Sequence, residues 1–572
     1  MAPWYEEAEF YHIYPIGLTG APRKNESEET VHRFSTLEQW LPHIADLGCT
    51  AIYIGPLFES TTHGYDTKDY KQVDRRLGDN ADFAAYVKKA HELGIKVVVD
   101  GVFNHTGREF FAFRDIQEKR EQSPYCGWYK GIWFGGNTCY NDGFSYEAWR
   151  NCFELVNLNL QNQQVRDYLL DVIDFWIDEF DIDGIRLDCA DCLDFGFMEQ
   201  MRARTSAKKQ DFWLMGEVIH GDYARYIGDG QHLLHSVTNY ELHKGLYSGH
   251  NDHNYFEIAH TIRREFDENG GIYKGKKLYS FVDNHDVDRL ASKLNVKENM
   301  IPIYALLYFL PGIPSIYYGS EFGIEGRKEG GNDDPLRPAL NLEELEKNPP
   351  AEKLPAWIKT LSDVRKKHPA ARTGRYRELM LTNRQYAFAR DLDGVRVIVT
   401  VNNDDNVASM DLAAGNAAEY VGTLTGEKVS VENGRIHVTV AGNSGNIWVP
   451  AGDMPEYKPV EMNAKTPETT NTTVKADNED QTKEEAAATV AEQNTTPTSQ
   501  ALKNAANTDS IKETVATTVG NSDCTANASE KAADGTTSNT TTASEPASEK
   551  SQITVDWSKS PEDMTVEELQ AG

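Results

Sequence analysis

No stretch of this 572-residue chain is apolar for long enough to cross a bilayer uninterrupted. The most apolar run, IPIYALLYFLPGIPSIYYG at 301–319, is broken by Pro302, Pro311 and Pro314. It reads as a buried helix followed by a buried strand. Basic residues are also short: 58 Lys and Arg stand against 89 Asp and Glu, a net charge of −31. That excludes the basic surface a nucleic-acid backbone requires, though not a neutral substrate. The N-terminus, MAPWYEEAEF, has no basic segment followed by an apolar one, so no secretory leader is expected. Cysteine is scarce and odd in number, seven in all, which argues against a disulfide framework. Cys189 and Cys192 form one CxxC, but no second CxxC completes a zinc site, and both are expected to be buried free thiols. The expectation is a cytoplasmic protein with neither membrane nor nucleic acid as partner. Its oligomeric state is not legible.

What is present is enough apolar material for a large core, 39% of residues, arranged as alternating strand and helix patterns over the first 370 positions. Strand candidates lie at 10–17, 49–57, 95–103, 182–188, 212–218, 233–240, 278–285 and 313–319. Between them run amphipathic helix patterns such as TLEQWLPHIADLG (36–48), with a C-capping glycine, and NADFAAYVKKAHELG (80–94). Eight apolar strands alternating with helices predict an α/β fold, a (β/α)8 TIM barrel over 1–105 and 164–372. The interval 106–163, rich in Gly, Tyr, Trp and Asn, is too long for a plain loop and is expected to be an inserted subdomain. Residues 373–450 change to short alternating runs with Asp-Gly and Asn-Gly turns, expected as a C-terminal antiparallel β-sandwich. From 451 to 572 Thr, Asn, Ala, Ser, Glu and Lys dominate, and acidic residues outnumber basic ones by 13. This tail is expected to be disordered. Its N-x-[ST] sites at Asn471, Asn494, Asn527 and Asn539 read as composition rather than glycosylation. A helix-start signature stands at Ser560-Pro561-Glu562.

The fourth strand candidate continues into GIRLDCADC (184–192). Arg186 and Asp188 are two apart and so share a face of the strand. That pairing has a structural reading, a buried ion pair, and a chemical one, a nucleophilic carboxylate held ionised by the arginine. The other strand ends decide between them, because barrel enzymes place their chemistry at the C-terminal ends of the strands. Strand 3 ends DGVFNH (Asp100, Asn104, His105), strand 5 MGEV (Glu217), and strand 7 FVDNHD (Asn284, His285, Asp286). Three acids, Asp188, Glu217 and Asp286, therefore ring one mouth. A carboxylate that attacks and a carboxylic acid that protonates the leaving oxygen are the machinery of glycoside hydrolysis. On this reading Arg186 lowers the pKa of the first, and nearby like charge raises that of the second.

These segments resemble glycoside hydrolase family 13, the α-amylase family. DGVFNH, GIRLD, GEV and FVDNHD match its four short motifs in order. VNLNLQNQQVRDYL (156–169) looks like its additional motif, and HGYDTKDYKQVD (63–74) resembles the loop after strand 2 whose tyrosine stacks under the reacting sugar. The resemblance covers about residues 8–450. It implies Asp188 as nucleophile, Glu217 as acid/base and Asp286 as the third acid gripping the sugar hydroxyls. Tyr65, Asp66, His105, Arg186 and His285 would contact or position the substrate, with Asp100 and Asn104 as structural support. The implied reaction retains configuration at an α-1,4-linked glucan or maltodextrin through a covalent glycosyl-enzyme, with no organic cofactor and with Asn104 as a candidate calcium ligand. Asp191-Cys192 departs from the Lys-His of many α-amylases, a pair that contributes a substrate contact and a calcium-site carbonyl. NDDPLRPAL (332–340) resembles a substrate-binding loop, but its short Asp334–Arg337 spacing leaves both unassigned. The insert resembles that of intracellular dextrin-acting members. Its aromatics Trp128, Trp133, Tyr140 and Trp149 are either sugar platforms or the insert's own core. An α-1,6-glucosidase, a glucanotransferase or a sucrose-acting enzyme would use the same three acids. An inactive carbohydrate-binding barrel is the remote alternative, disfavoured because all three are kept.

Overall fold

Eight short apolar segments form parallel strands: β1 (Phe10–Ile13), β2 (Ala51–Ile54), β3 (Lys96–Gly101), β4 (Gly184–Leu187), β5 (Trp213–Gly216), β6 (Ser236–Val237), β7 (Tyr279–Phe281) and β8 (Ile313–Tyr317). This is a computed structural model, and it describes residues 3–452. The strand order is β6-β5-β4-β3-β2-β1-β8-β7, and a parallel bridge from Thr238 to Tyr279 joins the two outer strands, so the sheet closes into a barrel. Both faces of such a sheet are covered, which is why the strands are runs of buried Ile, Val, Tyr and Phe rather than alternating patterns.

The observed strands are shorter than the sequence patterns. Pro15 has no N–H to give the ladder, and Pro15–Leu18 turns into a helix after β1. At β6, the Asn239 side chain accepts from Leu242 N and starts the helix Tyr240–Asn251, so the 233–240 pattern yields two strand residues.

Helices pack outside the barrel. Phe34–Leu47 buries Leu37, Leu41 and Ile44 and ends at Gly48, whose φ is 96°; a Cβ there would meet Ser362 Oγ at 1.9 Å, so glycine is required. Asn80–Glu92 begins with a capping box between Asp79 and Asp82. Met300–Phe309 is buried at every position. Its all-round apolar sequence fits a helix covered on both sides, by the barrel and by the C-terminal sheet.

The segment between β3 and the helix Gln163–Phe180 is tied at its two ends. His105–Thr106 pairs antiparallel with Val156–Asn157. Inside it, the helix Phe111–Lys119 packs Phe113 against Tyr129, Phe144 and Tyr146.

The C-terminal strands are β9 (Arg375–Leu381), β10 (Gln385–Leu392), β11 (Val395–Asn402), β12 (Ala408–Ala413), β13 (Glu419–Gly422), β14 (Lys428–Ser430), β15 (Arg435–Val440) and β16 (Ser444–Pro450). Six form an antiparallel sheet, β9-β10-β11-β16-β13-β14, and the β12/β15 pair covers one face through Met410, Leu412, Ile436 and Val438. Asp393-Gly394 and Asn433-Gly434 both have positive φ, the conformation expected of these tight turns. The acidic tail from 453, its N-x-[ST] sites and the Ser560 helix signature lie outside the described residues.

Candidate active site

The ladder of the barrel continues for one residue past β4 and β5, and that extension carries two acids. Asp188 N donates to Gly101 O (3.1 Å), and Glu217 N donates to Leu187 O (2.9 Å). Asp286 follows β7, where the Asn284 side chain accepts from its amide at 2.8 Å. The three carboxyls line one cavity of about 370 Å³ together with Tyr65, His105, Trp149 and Arg337.

Arg186 lies beneath this cavity, 3% exposed. Its Nη1 donates to Asp188 Oδ1 at 3.0 Å and to Asp100 Oδ1 at 3.0 Å; its Nη2 pairs with Glu217 Oε2 at 2.9 Å. One planar fork thus binds three carboxyls and holds Asp188 and Glu217 close together. Asp100 Oδ2 also accepts from the hydroxyls of Tyr53 (2.8 Å) and Tyr65 (3.2 Å). Tyr65 in turn shares a hydrogen bond with His285 Nε2 and stacks on its ring. On the far side, Asp286 Oδ1 accepts from Arg337 Nη2 (2.9 Å), which also binds Asp333 (3.1 Å).

The electrostatics differ from the sequence expectation at one point. Arg186 was expected to depress Asp188, and it does act in that direction. Burial outweighs it, and with Glu217 adding its charge the Asp188 carboxyl is pushed up to about 7. Glu217 is also raised, by burial first, against Arg186 and with help from Asp286. Both carboxyls therefore resist ionisation, burial being the first cause in each case. Burial lowers His105 to about 3, leaving a neutral imidazole whose Nε2 stands 4.0 Å from Asp188 Oδ2. Such a ring hydrogen-bonds hydroxyls without adding charge.

The candidates fall into two groups. Tyr65, His105, Asp188, Glu217 and Asp286 line the cavity, whereas Arg186, Asp100, His285, Asn104 and Asp66 are not part of its lining. Asp66 is buried and accepts from Thr62 Oγ1 (2.9 Å), so it braces the loop after β2. Asn104 Nδ2 contacts Asn157 Oδ1 (3.3 Å) and His105 Nδ1 (3.2 Å). Among the described residues, the hydrogen-bond partners of the Asn104 side chain, an amide oxygen and an imidazole nitrogen, include no carboxylate, one of the oxygen ligand types calcium takes.

Of the four aromatics weighed in the insert, Trp149 lines the cavity. Trp128 packs in a local aromatic core with Phe111, Tyr125 and Tyr168. Tyr140 stacks under Arg108, and Trp133 is exposed. The expectation for the CxxC pair holds by half. Cys189 is buried, but the turn Ala190–Cys192 carries Cys192 to an exposed position. Arg337 was left unassigned, and its true partners are Asp286 and Asp333; Asp334 instead pairs with Arg23 at the rim (3.2 Å). Tyr14 and Tyr240, neither singled out from sequence, also reach the site. Tyr14 lines the cavity, and the Tyr240 hydroxyl is 3.5 Å from Glu217 Oε1.

The family model for the alpha amylase catalytic domain matches residues 29–360. The chain is 30% identical to a cyclomaltodextrinase of a Bacillus species over 429 residues, 70% of this chain and 73% of that one. It is 30% identical over 374 residues to an intracellular maltogenic amylase of Bacillus subtilis, covering 64% of this chain and 61% of the relative. Among solved structures, the acarbose-soaked debranching enzyme of Nostoc punctiforme superposes with a TM-score of 0.64 at 26% identity, over 78% of this chain and 98% of that one.

Proposed function

The chain belongs to the α-amylase family of glycoside hydrolases, and from that premise we propose that it hydrolyses α-1,4-linked glucans and maltodextrins with retention of configuration. Asp188 attacks the anomeric carbon and forms a covalent glycosyl-enzyme. Glu217 first protonates the leaving oxygen and then, as base, activates the water that releases the sugar. Asp286, fixed by Arg337, grips the hydroxyls of the reacting ring, and Tyr65 stacks beneath it. His105 orients the sugar, His285 holds Tyr65 in place, and Asp100 holds Arg186. The observation that carries this reading is the single Arg186 fork joined to both Asp188 and Glu217. Two carboxyls bonded to one guanidinium face the same reacting centre, as a retaining pair must. The family uses no organic cofactor, and no step here requires a metal.

The product profile from maltohexaose, with Asp188→Asn as control, tests the proposal. Short dextrins or glucose from the wild type, lost in the variant and released initially as the α-anomer, are the expected result. Chains longer than six would mean a transferase, and no turnover would overturn the α-1,4 reading. The likeness to a debranching enzyme favours one second reading, α-1,6 cleavage, which isomaltose and pullulan in the same assay test. The name of the Bacillus subtilis relative supports a cytoplasmic place of action, which cell fractionation tests.

A further inference from the structure

Cys189 occupies an unusual position between the two proposed catalytic acids. Its amide donates to Glu217 Oε2 at 3.0 Å, and its thiol donates to Asp188 Oδ2 at 3.2 Å. It adopts the left-handed conformation, φ 36° and ψ 54°, and opens a tight turn closed by Cys192 N donating to Cys189 O at 2.9 Å. The first thiol of the turn is buried, 6% exposed, and the fourth is open to solvent. A four-residue turn brings its end Cα atoms within about 7 Å. A disulfide needs about 4.4–6.8 Å. The neighbouring Cys189 holds the Cys192 thiol below its ordinary pKa, while burial keeps Cys189 protonated. The outer thiol is therefore suited to attack and the inner one to resolve.

We infer that Cys189 and Cys192 form a redox-active dithiol, oxidised by a low-molecular-weight disulfide, whose closure withdraws the Cys189 thiol from Asp188 and switches turnover off. The Cys192 thiolate attacks one sulfur of the oxidant, breaking its S–S bond and expelling one thiolate. Cys189 sulfur then attacks Cys192 sulfur, expelling the second, and the two protein protons end on the two departing thiols. The protein loses two electrons, and the oxidant gains them. In the oxidised form Asp188 has lost a hydrogen-bond donor, and the turn that presents Cys189 N to Glu217 is pulled toward Cys192. The inference rests on the proposed roles of Asp188 and Glu217.

The test equilibrates the full-length protein in buffers of graded oxidised to reduced glutathione and traps free thiols with an alkylating reagent. Peptide mass spectrometry then measures the Cys189–Cys192 disulfide, and kcat/KM on maltohexaose is measured on the same samples. Disulfide formation and loss of turnover are expected to share one midpoint. The loss should be about 100-fold, the scale of a displaced catalytic group. Dithiothreitol should restore turnover, and Cys192→Ser should keep the reduced rate in every buffer. The inference is overturned if no disulfide joins these cysteines at any ratio, if turnover is unchanged with the disulfide complete, or if Cys192→Ser loses turnover equally. A fully reduced wild type with no glycosidase turnover overturns the functional reading and the switch with it, while the mass readout still decides whether the dithiol closes.

Discussion

Replacing Arg186 with lysine keeps the positive charge and removes the fork. Arg186 binds Asp100, Asp188 and Glu217 at 2.9–3.0 Å, using both terminal nitrogens. A lysine ammonium is one point on a shorter reach and can satisfy one of these carboxyls well. Two charge-assisted hydrogen bonds are then lost, each worth about 1.5–3 kcal/mol. The sum, about 3–6 kcal/mol, corresponds to roughly two to four orders of magnitude in kcat/KM if it falls on the transition state. The pH profile gives a second, signed readout. Arg186 is the main influence opposing burial at both Asp188 and Glu217. A weaker cation lets both carboxyls rise, so both limbs of the kcat/KM profile move to higher pH. The assay is steady-state turnover of maltohexaose between pH 4 and 9, on protein whose thermal unfolding shows an intact fold. A variant within tenfold of wild type with an unmoved profile would refute the assignment of Arg186 as the positioning residue for both acids.

With burial pushing the Asp188 carboxyl up to about 7, the wild-type kcat/KM profile should rise on its acid side near pH 7, as the nucleophile ionises. Asp286→Asn removes a charge that raises both carboxyls, so the residual activity should lose its alkaline limb at lower pH; an unmoved limb would exclude that coupling. Trp149→Ala removes a cavity wall whose ring is 6.1 Å from that of His105, and KM should rise about three- to tenfold with kcat little changed. A fall in kcat alone would place Trp149 elsewhere in the cycle. Asp183→Asn addresses stability. Burial opposes the Asp183 charge, but bonds from His91 (2.7 Å), Val97 N (3.0 Å) and Lys96 (3.0 Å), with Lys209, prevail and hold its pKa below the carboxylate range. A depressed folded-state pKa stabilises above the unfolded value and is lost as pH falls through the folded one. Urea unfolding should therefore show Asp183→Asn weaker by about 3–5 kcal/mol at pH 7, with the gap closing only below about pH 4. Equal stability at pH 7 would sink this account.

The acids were legible because they break a strong local rule. A parallel barrel strand is apolar on both faces, so a charged residue at its end stands out from sequence alone. Glu217 after WLMG and Asp188 after GIRL are visible for that reason. The helix at 300–309 was legible for a related reason, since only burial on all sides explains so uniform a run. Tyr240, Tyr14 and Arg337 gave no such contrast. Each reaches the site from a segment just past a strand end or from a distant loop, and its partner is fixed only when the barrel closes. Asp66 shows the converse: it matched a motif but turned its carboxyl into its own loop.

The protonation of Asp188 could not be read at all, because it is a balance among groups from separate strands. An adjacent arginine is a local fact and argued for a depressed carboxyl; the desolvation that overrides it is assembled by the whole mouth. The positions of the two acids, by contrast, follow from the barrel itself. Asp188 and Glu217 are each held by one further rung of the ladder, to Gly101 and Leu187, so their spacing inherits the stagger of β3, β4 and β5. The two acids are therefore tied in position to the hydrogen-bonded ladder of the barrel, and in charge to a balance assembled from separate strands. Substitutions that leave every strand intact but let water into the mouth should accordingly shift the pH profile before they shift the geometry, whereas Arg186→Lys, which removes the fork holding both acids, should shift both without touching a rung.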